Sequence, residues 1–186
     1  MRARRGRGAQ LAAGAASRPA RAADAILFLH ADSRLPPGYG ASVEAALASA
    51  PWGCFATARP TGLHPAATAL LQACIGARTR WLGLPYGDQG IFAARAALDA
   101  VGGVDASLPL MEDVDLVARL TAASGAPAIV AGAVATSGRR WAAGGLVRTT
   151  VHNLWTLARY RAGVPAAVLA HEYYGRRRRR KGKGGG

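Results

Sequence analysis

The chain has 186 residues, enough for one domain with a sizeable core and too few for two ordinary ones. Its 51% hydrophobic content excludes a largely disordered chain, yet no apolar run approaches the ~20 residues that span a bilayer. The formal charge of +14 sits mostly at the ends: Arg2, Arg4, Arg5 and Arg7 carry four charges, and Arg176 to Arg180 with Lys181 and Lys183 carry seven, leaving 13 basic and 10 acidic residues between.

Residues 9–16 are small and helix-compatible until Pro19 interrupts them. This end is Arg-rich and acid-poor, but LAAGAAS is short and weakly apolar for a secretory h-region, so no signal peptide is assigned. Residues 25–30 form a continuous apolar run expected of a strand buried on both faces. Pro36 and Pro37 impose a turn, and Val43, Ala46 and Leu47 give helical spacing over 40–50. A second strand is expected over 53–58, with Thr61-Gly62 as its exit.

A helix over 64–81 carries Leu70, Leu71 and Cys74 as its stripe. LGLPYGDQG is too rich in Gly and Pro for regular structure; Ile91 and Phe92 then start another strand. Residues 95–101 read as a helix capped by Gly102-Gly103, and 112–123 as a helix with Val114, Leu116, Val117 and Leu120 on its apolar side. A strand over 128–135, a loop at SGRRW and helices over 146–160 and 165–173 complete the series. GRRRRRKGKGGG is low-complexity and expected to be disordered. The predicted organisation is a basic segment at 1–7, a domain at 8–174 and a polybasic tail at 175–186. Alternating short strands and helices predict an α/β sheet domain. Cys54 and Cys74 are too few for a disulfide framework, lack zinc-site spacing and read as buried small hydrophobes of a reducing compartment.

Two groups of acids stand at element ends. Asp32 follows an apolar strand run, where open α/β sheets bind ligands and where a carboxylate can hold Mg²⁺ or Mn²⁺; it reads equally as a turn or helix cap. Glu112, Asp113 and Asp115 crowd the start of a helix, where the dipole favours negative charge by roughly 0.3–1 kcal/mol each; one of them could instead be a general base. Asp115 points away from Asp113, so the two do not share a site. Asp88 and Gln89 lie between glycines, either a surface turn or a close approach to a ligand. Arg139, Arg140 and Trp141 combine phosphate-binding guanidiniums with an aromatic platform, or serve as a structural anchor. His30 and His152 read as packing residues.

GRGAQL, LFLHADSRLP, LPYGDQG, PLMEDVDLVARL, SGRRW and LVRTTVHNLW occur in an order that resembles the transferase-2, rSAM/selenodomain-associated branch of family 2 glycosyltransferases, over roughly residues 5–172. The resemblance implies a GT-A-like mixed sheet flanked by helices and inverting transfer from a nucleotide-diphospho-sugar donor to an unknown acceptor. It implies that Asp32 is the last acid of a DXD-type site for a divalent metal, Mn or Mg, with His30 replacing the first. It implies that Asp113 is the general base with Glu112 beside it, that Arg139, Arg140 and Trp141 lie near acceptor and diphosphate, and that Asp88 and Gln89 line the same cleft.

In such relatives a strand, helix and strand precede the GRGAQL-like segment; only Met1 to Arg5 do so here, so about 60 residues of the first nucleotide-binding βαβ unit are expected to be missing and a strand edge exposed. The alternatives are a truncated, catalytically inactive relative, or a binding protein contacting an anionic membrane or nucleic acid through its basic ends. A cytoplasmic protein with peripheral contact at the inner face of the membrane is expected; nucleic acid is the less expected partner.

Overall fold

A computed structural model of the chain describes residues 6–181, with side chains described as far as Gly175. Residues 1–5 of the basic N-terminal segment and 182–186 of the tail lie outside the described residues. The elements run α1 (Arg7–Ala15), α2 (Arg18–Arg21), β1 (Ala25–Phe28), β2 (Ser33–Arg34), α3 (Tyr39–Leu47), β3 (Trp52–Thr61), α4 (Pro65–Leu82), a 3-10 turn (Gly87–Gln89), β4 (Ile91–Ala94), α5 (Arg95–Ala100), α6 (Glu112–Ser124), β5 (Ala128–Ser137), α7 (Arg139–Gly144), α8 (Leu146–Arg161) and α9 (Ala166–Lys181).

The fold is α/β: five strands form one mixed, curled sheet in the order β1-β4-β3-β5-β2, flanked by helices. β3 and β5 pair in parallel, and the other neighbours are antiparallel. Alternation along the strands sends side chains to two cores. Phe28, Trp52, Ile91 and Ala93 face one core with Leu98, Leu116, Val117 and Leu120, covered by α1, α5 and α6. Phe55, Phe92, Val130 and Val134 face the other, closed by Val43 of α3. The buried indole of Trp52 meets its polar requirement by donating to the Gly125 carbonyl at 3.0 Å, where α6 ends. A third cluster joins α9 to the loop before α6 through Leu110, Met111, Leu169 and Ala170.

Three sequence expectations are corrected. Residues 25–30 do not form a strand buried on both faces: β1 is a half-buried edge strand, with β4 its described partner. SGRRW is no loop, because Gly138 opens α7 and the three residues Arg139, Arg140 and Trp141 ride on that short helix. Helix α9 is drawn as far as Lys181, through the arginine run, and arginine is a good helix former. Of the two cysteines, Cys54 is buried as expected, its thiol pushed up to about 12 by burial, whereas Cys74 is exposed on α4.

Two close approaches explain glycines in the motifs. A Cβ on Gly8 would stand 2.4 Å from the Asp105 carbonyl oxygen and 2.6 Å from that of Leu108, so only glycine lets α1 dock on the loop leading to α6. Its own N–H bonds the Leu108 carbonyl at 3.3 Å. The second approach, at Gly87, lies in the site.

Candidate functional site

A cavity of about 150 Å³ opens beside the end of β1, the start of α6 and the helices α7 and α8. Asp32, Asp88, Asp113, Arg139, Arg140 and Trp141, far apart in sequence, all line it.

Asp113 stands in the first turn of α6. Its Oδ2 accepts the Gly87 backbone N–H at 2.7 Å and its Oδ1 accepts the Val114 N–H at 2.9 Å. Both bonds fix the carboxylate while leaving lone pairs for a cavity ligand. A Cβ on Gly87 would lie 2.6 Å from His30 Nε2 and 3.1 Å from Asp113 Oδ2, so the loop can come this close only as glycine. The residue before α6, Met111, has φ 67°, the only positive φ outside glycine among the described residues. Such a left-handed turn costs about 1–2 kcal/mol and is held here by burial of the Met111 side chain.

Glu112 does not line this cavity. It is fully buried, with Arg7 Nε 3.4 Å from Oε1 and no hydrogen-bond partner for either oxygen among the described residues. Burial first, then the charge of Asp113, pushes its carboxyl up to about 7, and Arg7 opposes the shift. The same Arg7 reaches the cavity and donates to His30 Nε2 at 3.0 Å. A guanidinium only donates, so this imidazole nitrogen is the acceptor and its lone pair is not free for a metal. Burial and the Arg7 charge push the His30 imidazole down toward its neutral form, against the pull of Asp113, Asp88 and Asp32.

Asp32 forms an ion pair with Arg139 at 3.0 Å on the open side of the cavity. Among the described residues no group of three His, Cys, Asp or Glu is placed to hold a metal ion. Asp32 alone could contribute one carboxylate, and a hard cation there would need its remaining oxygens from a ligand or water. Asp88 is half-buried, its enclosed Oδ1 without a hydrogen-bond partner among the described residues, and desolvation pushes its carboxyl up.

Arg140 bonds the Tyr173 hydroxyl and lies over that ring, 5.0 Å from its centroid. Tyr173 in turn donates to Asn153 Oδ1 at 3.3 Å, and Trp141 donates to Thr150 Oγ1 at 3.3 Å. These bonds tie α7 to α8 and α9. Gln89 stands outside the cavity. Its amide donates to the Phe55 carbonyl at 3.1 Å and Thr79 Oγ1 at 2.7 Å, while its oxygen accepts from Arg78 at 2.6 Å and the Tyr86 N–H at 3.2 Å. Every polar atom of the side chain is engaged in holding the loop. Asp115 is bound by Arg119 at 2.6 Å, away from Asp113.

Sequence reasoning missed Arg7, Tyr86, Asn153 and Tyr173 as cavity residues. Arg7 had been counted with the basic N-terminal segment; the glycines around it were the available signal. No protein-family model, no curated protein and no solved structure matches this chain.

Proposed function

We propose that this chain is a glycosyltransferase domain that performs inverting transfer from a nucleotide-diphospho-sugar. The observation that carries the reading is the convergence of Asp32, Asp88, Asp113, Arg139, Arg140 and Trp141 on one cavity. Asp113, anchored by the Gly87 N–H, is the base: it takes the proton of an acceptor hydroxyl as that oxygen bonds the anomeric carbon. The bond from that carbon to the diphosphate breaks, and its electron pair leaves with the nucleoside diphosphate. Arg139 and Arg140 receive the charge that develops on the leaving oxygens, which guanidiniums bind in bidentate fashion. Trp141 offers an apolar wall for a sugar face. A divalent ion would be held by Asp32 together with the diphosphate itself, and would supply charge neutralisation. The GT-A-like character of the sheet belongs to this proposal.

A second reading is favoured by one observation: Asp32, the single carboxylate proposed for a metal, is engaged by Arg139. On that reading the chain is a non-catalytic relative.

The test is release of nucleoside diphosphate from a panel of nucleotide-sugars with Mn²⁺, by the full chain and by Asp113→Asn. The variant should lose turnover by about 100-fold or more while binding nucleotide as before. Equal turnover in the two proteins would sink the assignment of the base, and nucleotide binding without turnover in either would favour the second reading.

A further inference from the structure

Helix α8 shows two unlike faces. Asn153, Thr156 and Leu157 turn toward the cavity and line it. On the other side Val147 is 74% exposed, Val151 58%, Leu154 53% and Trp155 62%. At 3.6 residues per turn these four and the exposed Ala158 fall within an arc of roughly 100°, and the exposed Arg148 and Arg161 fall on its two borders. Four large apolar side chains on one outward stripe are more than scattered surface hydrophobics.

Charge identifies what covers the stripe. Helix α8 carries no acid, and after it the sequence adds Arg176 to Arg180, Lys181 and Lys183 against a single acid, Glu172. Glu172 is itself ion-paired, with Arg159 at 2.5 Å. A second copy of the chain would bring Arg148 and Arg161 against like charges. Nucleic acid would use the arginines and leave the apolar stripe in water. No described helix is long and apolar enough to cross a membrane, so a lipid partner must be met at its surface. A helix with a Trp-containing apolar face bordered by arginine lies in the plane of a bilayer interface, its apolar side among the acyl chains and its arginines at anionic headgroups.

We propose that α8 docks the protein on an anionic lipid surface, inserting Val147, Val151, Leu154 and Trp155, with Arg148, Arg161 and the basic run near the C-terminal end of the sequence contacting the headgroups. The cavity wall, on the other side of the same helix, then lies about one helix diameter (~10 Å) from the lipid plane. If the glycosyl-transfer reading holds, that position suits an acceptor presented at the bilayer surface. Docking itself does not depend on that reading.

The experiment is flotation of the full chain with vesicles of equal parts phosphatidylglycerol and phosphatidylcholine, and with phosphatidylcholine alone. The chain should float with the anionic vesicles, with a blue shift in tryptophan emission. Both Leu154 and Trp155 are exposed, so the double variant Leu154→Glu, Trp155→Glu should keep the parent's unfolding midpoint yet bind at least ~10-fold more weakly and lose the shift. Replacing Arg176 to Arg180 by glutamine should reduce the salt-sensitive part of binding, leaving the share due to Arg148 and Arg161 and a salt-resistant part from the apolar stripe. The proposal falls if the anionic vesicles do not bind, or if the double glutamate variant binds as the parent does. It falls equally if the lipid-free chain is a dimer that this variant dissociates, or if duplex DNA or RNA displaces the vesicles completely.

Discussion

The backbone N–H of Gly87 donates to Asp113 Oδ2 at 2.7 Å, joining the PYGDQG loop to the first turn of α6. The bond is a charge-assisted one, and it aims the carboxylate while shielding one of its oxygens. The position of the acid and the identity of the loop residue are therefore one feature.

Gly87→Ala tests that coupling. The added methyl would meet His30 Nε2 at 2.6 Å and Asp113 Oδ2 at 3.1 Å, so the imidazole and the carboxylate must both move. On the proposed glycosyl-transfer reading, displacing the base by about 1 Å costs up to about 100-fold in rate, whereas a side-chain adjustment at the cavity edge costs roughly 1–2 kcal/mol in stability. The expected result is a large fall in kcat with a modest fall in unfolding midpoint. A variant with unchanged kcat would show that the bond does not position the acid.

Gln89→Leu separates scaffold from site. The leucine fills the space but abandons the Phe55 carbonyl, Thr79 Oγ1, the Tyr86 N–H and Arg78, all in or beside the core. Leaving such groups unpaired costs about 1–3 kcal/mol each where water cannot reach them, so urea unfolding should show a loss of at least ~2 kcal/mol. A stability equal to the parent's, with ligand affinity reduced instead, would return Gln89 to the binding surface.

These two residues also show what the sequence made legible. The 112–123 helix was readable because its apolar period and its acids agree, and α6 is found at Glu112–Ser124. Asp88 and Gln89 look alike in sequence, two polar residues between glycines, yet one faces the cavity and the other is consumed by the scaffold. That distinction depends on Arg78 and Thr79 of α4, which no local pattern ties to the loop. Arg7 was hidden in the same way, since its role arises from Glu112 and His30, far along the chain. Strand β2 was missed because two residues carry no period, and α7 because a six-residue helix has too few turns to display one.

Asp32 and Arg139 form a mostly exposed pair, with side chains 37% and 67% accessible, so the pair itself contributes at most about 1 kcal/mol to stability. Its effect should be on ligands. Asp32→Ala should leave the unfolding midpoint within about 2 °C of the parent's and abolish any enhancement of nucleotide binding by Mn²⁺. Arg139→Ala should keep that enhancement but weaken binding of the nucleotide alone, because it frees the carboxylate and removes a phosphate donor. Calorimetric titration of nucleotide with and without Mn²⁺ distinguishes these; Mn²⁺ enhancement persisting in Asp32→Ala would exclude this carboxylate as the ligand.

Glu112 makes a pH-dependent contribution whose sign is set by its carboxyl, raised to about 7 chiefly by burial. An unfolded glutamate titrates near ~4.3, so between the two values the folded chain binds the proton more tightly. Stability from this group is fully present below the unfolded value and is lost as pH rises through about 7. Burial pushes Asp88 in the same direction. His30 works oppositely: its imidazole is pushed down, so its contribution is present at higher pH and lost as pH falls below its ordinary range. The parent profile is thus mixed, and the difference from Glu112→Gln isolates the acid, because neutral Glu and Gln are nearly isosteric. The two proteins should unfold alike in urea near pH 4–5 and diverge above it, the glutamine variant becoming the more stable by ~1–3 kcal/mol at pH 8. Parallel profiles from pH 5 to 8 would mean that Arg7, 3.4 Å away, compensates the buried charge completely.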